Sequence, residues 1–296
     1  MAVVIVLWII LYACSTSSDN KKYLGQAPHS LKPEVFAPGL ISKKGESEFG
    51  SVFNKEANQF YYGADINGRS EIRFTTLEKE TWGPPQTLLS NEKYSCNDPF
   101  LSPDEQRLYF ISNRAVDGLG TKDDYDIWYI ERNGNTWNTK MINAGPQINS
   151  GKNEYYMSFT TNGDMYFSSN TMASEKREHN YDIYVSGYGK GIFQKPNVLS
   201  NSINTEAYET DVFVAPDESY IIFCSIRRDG YGKGNLYISF REDGGNWSEA
   251  KNMGPQINTK DHELCQFVTK DGKYFFYTGN QDIYWVDAGI INNLKD

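Results

Sequence analysis

The chain has 296 residues, of which 15% are aromatic (21 Tyr and 16 Phe among them), and a formal net charge of −9. The aromatic content favours strands over helices, and the acidic balance excludes a broad electrostatic hold on nucleic acid, which needs clustered Lys and Arg. No long stretch carries an amphipathic 3.6-residue period, and the short apolar runs bounded by Gly, Asn, Asp and Pro indicate an all-β protein.

The first element in chain order is the apolar run AVVIVLWIILYA at 2–13. It is shorter than the ~20 residues a spanning helix needs, but it suits the core of a signal peptide. It ends in LYAC, which resembles a bacterial lipobox, although Tyr12 is bulky for its place and no Lys or Arg precedes the run. On that reading residues 1–13 are a lipoprotein signal peptide, Cys14 is the lipidated residue, and the polar, Ser-rich segment 14–30 is a flexible tether. The expected location is the bacterial cell envelope, periplasmic or outer-membrane, held by a lipid anchor.

From residue 31 to 296 the chain is periodic. GPQINSGKNE (145–154) and GPQINTKDHE (254–263) flank a degraded copy, VLSNSINTEAYE (198–209), so that Asn149, Asn204 and Asn258 recur roughly every 55 residues. Each period opens with one short apolar element: FGSVF (49–53), DPFL (98–101), YYMSF (155–159), TDVFV (210–214) and LCQFV (264–268). Turns such as SPDEQ (102–106) and TKDGK (269–273) lead from it to a second strand, forming a hairpin. A third strand follows, exemplified by DIWYI (126–130) and DIYWV (282–286), and then an aromatic residue ahead of a fourth: Trp82, Trp137, Phe193 and Trp247. Recurrence at one structural position marks these aromatics as packing residues rather than a platform for sugars.

Four short antiparallel strands per unit make a propeller blade. Five first strands predict one five-bladed β-propeller, with blades starting near 48, 96, 154, 209 and 263. Only four fourth strands follow them, so the fifth must come from the N-terminal side. VFAPGLISKKGESE (35–48) fits, with Ile41 and Ser42 in the places of Ile148 and Asn149 and Glu48 in the place of Glu154. Residues 35–42 are then expected beside 282–286, closing the last blade and leaving no sheet edge open. GPQIN becomes the link from the outer edge of one blade to the inner strand of the next.

LSPDEQRLYFISNR, DYDIWYI and GPQIN followed by Glu resemble the TolB-like, WD-like propeller repeats of bacterial envelope proteins, over about residues 31–287. That resemblance implies a binding module, a scaffold or the propeller part of a peptidase. Gly-x-Ser-x-Gly is missing, and 31–296 leaves no length for a catalytic domain, so a peptidase is not expected. The expectation is a monomeric, non-catalytic binding or scaffold lipoprotein whose partner is a protein or polysaccharide of the envelope. The alternative is a carbohydrate-active enzyme, a glycosidase or lyase, using carboxylates at the channel mouth. REDGGNW (241–247) resembles the Asp-box turn of sialidases, but it lacks the leading Ser or Thr and has one residue fewer before the Trp.

Loops that differ between otherwise similar units are the expected site. They place Arg114, Asp123 and Asp124 in blade 2, Lys176, Arg177 and His179 in blade 3, and Arg228 and Tyr231 in blade 4. Glu48, Glu154, Glu209 and Glu263 begin four of the five inner strands, with Cys96 and then Asp98 in the odd blade. Such a ring is the catalytic candidate if the protein is an enzyme. Because these glutamates belong to the repeat, they read as acceptors for backbone amides or for an Arg such as Arg114 or Arg227. DDYD (123–126) is acidic enough to hold calcium, yet Asp126 is the repeat's own strand residue and the helix–loop–helix setting is missing, so neither metal nor cofactor is expected. His29, His179 and His262 are scattered and read as solvated, and Cys96, Cys224 and Cys265, without Cys-x-x-Cys spacing, read as small buried hydrophobes.

Overall fold

The computed structural model describes residues 21–27, 30–171 and 180–295. Each repeat folds as an antiparallel sheet whose strands run in chain order from the ring axis outward. Blade 1 holds Ser47–Phe53, Gln59–Ile66, Arg69–Glu78 and Gln86–Leu89, with a two-residue extension at Thr81–Trp82. Blade 2 holds Cys96–Leu101, Arg107–Arg114, Thr121–Asn133 and Thr136–Asn143. Blade 3 holds Glu154–Phe159, Met165–Ser169, Asp182–Ser186 and Asn197–Val198, and blade 4 holds Glu209–Val214, Tyr220–Ser225, Asn235–Phe240 and Lys251–Asn252. Blade 5 has only Glu263–Val268, Tyr274–Gly279 and Asp282–Asp287 from its own repeat.

Inner strands are enclosed by neighbouring blades on both faces, so they read as continuous apolar runs rather than alternating ones. All six residues of Glu209–Val214 are buried, whereas both residues of the outer strand Asn197–Val198 are exposed. The recurring aromatics pack as core residues. Trp137 of blade 2 donates its indole N–H to the Tyr61 hydroxyl of blade 1 at 3.0 Å, and Trp247 is 7% exposed, edge-on to Tyr166 of blade 3.

The N-terminal segment closes the ring as expected. Glu34 and Val35 pair antiparallel with Trp285 and Tyr284, and the Phe36 amide donates to the Ile283 carbonyl at 2.7 Å. The pairing covers 34–36 rather than 35–42, because left-handed φ values at Ala37 (43°) and Gly39 (83°) turn the chain away from the sheet. Phe36 anchors the closure, fully buried with its ring 5.1–6.0 Å from those of Phe53, Phe60, Phe276 and Trp285. A further correction concerns the tether. Residues 21–27 are docked on blades 1 and 5, since Tyr23 packs against Phe53 and Tyr274 and its hydroxyl donates to Asp271. Residues 1–20, with Cys14, lie outside the described residues, and among those described no helix is long and apolar enough to cross a membrane.

Candidate functional site

The repeated links explain themselves through hydrogen bonds. Asn258 accepts from the Leu236 amide at 2.8 Å and donates to the Leu236 carbonyl at 2.9 Å, fastening the link to the preceding blade's third strand, near its start. Asn149 does the same to Ile127, and Asn204 to Ile183. The residue after each Asn is Ser or Thr, and it secures the glutamate. Thr259 donates both its amide (3.1 Å) and its hydroxyl (2.6 Å) to Glu263, Thr205 does so to Glu209, and Ser150 to Glu154. Arg227 adds its Nε to Glu209 at 3.4 Å.

All four glutamates are 0–1% exposed, and each accepts from the link that precedes it. The link into blade 1 is the weak one: Lys43 stands where the others have Ser or Thr, and only its amide reaches Glu48, at 3.3–3.4 Å. Burial raises Glu48 and Glu154 to about 7, against the backbone amides of Lys43 and the hydroxyl and amide of Ser150, which pull the other way. These carboxylates therefore act as internal acceptors that tie each blade to the link entering it.

The elaborated loops lie on the same face, at the ends of the second strands. Arg114 is engaged within the protein: its guanidinium sits 4.9 Å over Trp128 and 5.9 Å over Tyr94. Asp124 pairs with Lys122 at 3.1 Å, and the same ammonium reaches the buried Asp126, which also accepts from Asn143. Asp123, Arg228 and Tyr231 are exposed, Tyr231 at 49%. Exposed apolar groups join them at Val116 (65%), Leu119 (81%) and Ile226 (49%). Lys176, Arg177 and His179 lie outside the described residues. His262 is partly buried rather than solvated, with Nε2 3.2 Å from the Cys224 sulfur, and Gly234 must be glycine because a Cβ there would stand 2.3 Å from the imidazole.

A second layer lies deeper, on the ring axis, and sequence reasoning missed it. Each inner strand carries a β-bulge two residues after its glutamate, or after Cys96 in blade 2. The bulged residues Gly50, Asp98, Tyr156, Asp211 and Cys265 all have left-handed φ, from 34° to 52°. For the four that are not glycine this conformation costs about 1–3 kcal/mol each. The bulges gather side chains from blades far apart in sequence. The Cys265 thiol lies 3.4 Å from Asp98 Oδ1 and 4.0 Å from Asp211 Oδ1, and the Tyr156 hydroxyl crosses from blade 3 to donate to the Gln266 carbonyl at 2.8 Å.

Burial raises Asp98 to about 6, and burial plus the neighbouring Asp98 charge raises Asp211 to about 8. The Cys265 thiol is pushed well up by burial and by both carboxylates. Gly50 makes room for Asp98 in the ring, since a Cβ there would stand 2.5 Å from Asp98 Oδ1. Below this layer Phe100, Phe213 and Phe267 pack at 5.9–6.5 Å and floor the channel. The only sequence signal for the layer was the unlikeness of the five residues against the sameness of their surroundings.

No protein-family model matches the chain, and no curated protein matches it in sequence. Solved structures match it in shape. A protein described as TolB from Agrobacterium tumefaciens aligns at 14% identity with a TM-score of 0.51, over 81% of this chain and 72% of that one. A protein of unknown function from Dyadobacter fermentans aligns at 12% identity with a TM-score of 0.50, over 90% and 85%. A gluconolactonase from Xanthomonas campestris aligns at 11% identity with a TM-score of 0.49, over 84% and 88%. At these identities the likeness is one of fold: the chain is a β-propeller and shares its architecture with TolB-like proteins.

Proposed function

We propose that the chain is a non-catalytic binding or scaffold module of the bacterial envelope, lipid-anchored through Cys14, that holds a protein or polysaccharide on the face where its inner strands begin. The observation that carries this reading is the division of labour on that face. The repeated glutamates are bound by their own links, whereas exposed charged, aromatic and apolar groups are left on the irregular loops of blades 2 and 4. Mixed polarity with a Tyr and an Arg suits a wet interface in which a few residues dominate the energy.

An enzymatic reading has one observation in its favour, the pair Asp98 and Asp211, whose protonation is pushed apart by their surroundings. It is the weaker reading, because both carboxylates are nine-tenths buried and stand against the Cys265 thiol rather than facing open space. The two readings separate on one experiment: incubation of the full chain, Glu154→Gln, Glu209→Gln and Asp98→Asn with isolated envelope polysaccharide, scoring bound chain and released reducing ends. Binding without product in all four supports the module. Product formed by the parent chain and abolished in any variant overturns it.

A further inference from the structure

Asp98, Asp211 and Cys265 come from blades 2, 4 and 5, and one donor atom from each lies within 4.8 Å of the other two. We infer that these three side chains bind one divalent transition-metal ion of the zinc class on the ring axis, pinning the three blades together. The Asp98 carboxylate is 7% exposed, and among the described residues the only donor that reaches it is the Cys265 thiol, within the cluster. A carboxylate so buried needs a proton or a cation.

The donor set then selects the cation. A thiolate beside two carboxylates disfavours calcium and magnesium, which take oxygen ligands, and favours zinc or a neighbour in the first transition row. The spacing agrees. Zinc bonds of about 2.0–2.3 Å in a tetrahedron set ligand atoms about 3.5 Å apart, against 3.4 Å from Cys265 to Asp98 and 4.0 Å from Cys265 to Asp211. Three protein ligands leave a fourth position to water or a small anion. Asp98 and Asp211 keep 7% and 9% exposure, so the site is not sealed. Gly50 supplies the room, since any side chain there would strike Asp98. The ion would displace the thiol proton, so binding releases acid.

The test uses the full chain in detergent, stripped with a chelator and titrated with cobalt and then with zinc. One equivalent of cobalt is expected, with a near-ultraviolet thiolate-to-cobalt band that one equivalent of zinc abolishes. Cys265→Ser should lose the band and Asp98→Asn should weaken binding at least tenfold, while Cys224→Ser, which removes the thiol beside His262, should keep both. Zinc should raise the thermal midpoint of the parent chain and leave that of Cys265→Ser unchanged. Absence of saturable one-equivalent binding in the stripped parent chain overturns the inference without any variant, and so does a cobalt–thiolate band that survives Cys265→Ser.

Discussion

Replacing Asn258 by Ala tests why the chain repeats its links. The substitution removes the acceptor of the Leu236 amide and the donors to the Leu236 carbonyl and to Asn252 Oδ1. Leu236 is fully buried, and its carbonyl keeps the Met253 amide, but its N–H is left with nothing. An orphaned buried donor costs about 1–3 kcal/mol and each further lost bond about 0.5–1.5 kcal/mol. Part of this is returned as side-chain entropy, so the net loss is about 2–4 kcal/mol. In a protein of this size that lowers the thermal midpoint by roughly 5–15 °C. Urea and thermal unfolding followed by circular dichroism would read it. Asn149→Ala and Asn204→Ala should cost the same within about 1 kcal/mol, because they orphan Ile127 and Ile183 in the same way. Ser42 is the natural control, since its hydroxyl is buried without a partner among the described residues, and Ser42→Ala should be neutral or stabilising. Asn258→Ala within about 0.5 kcal/mol of the parent, or Ser42→Ala as costly as the Asn variants, would refute the reasoning.

Stability should fall as pH rises from about 5 to 8. Glu48 and Glu154 have folded pKa values near 7, above the ordinary 4.5, so the folded state holds more protons than the unfolded state between those values. Their stabilising contribution is complete below the unfolded value and is lost through pH 7; Glu154→Gln should flatten the slope, and an unchanged slope would count against the assignment. Deleting residues 23–44 removes Tyr23, the closing strand and Phe36 together, and the whole calorimetric transition should move down as one, not merely lose a shoulder. Cys14→Ala should abolish acyl labelling and move the protein to the soluble fraction; an unlabelled, soluble parent chain would end the lipid-anchor proposal.

The fold was legible because its determinants are local and repeated. Turn residues, apolar strand elements and the recurrent aromatic fixed five units, and the shortfall of one outer strand pointed to closure by the N-terminal segment. The structural role of Glu154, Glu209 and Glu263 was legible for the same reason, although the Ser or Thr after each Asn, which donates twice to the carboxylate, went unread. The packing of Arg114 on Trp128 was not legible, because Trp128 lies on the next strand and only the hairpin register brings the two together. The axial layer was hidden for a geometric reason. Asp98 and Cys265 are 167 residues apart and meet only when five bulges turn their side chains toward one axis, and a one-residue bulge leaves no mark on apolar periodicity.

On the proposed function, binding belongs to the irregular loops and not to the repeated glutamates. Titration of isolated envelope polysaccharide and solubilised envelope protein against three folded chains separates the two: the parent, the Glu154→Gln/Glu209→Gln double variant, and a graft replacing 115–120 with a short Gly-containing turn. The graft spans 115–120 because Arg114 and Thr121 are paired and belong to the blade. The double variant is expected to bind with the parent's affinity, and the graft at least tenfold more weakly at an unchanged thermal midpoint. Full affinity in the graft together with loss in the double variant would place binding on the glutamates instead.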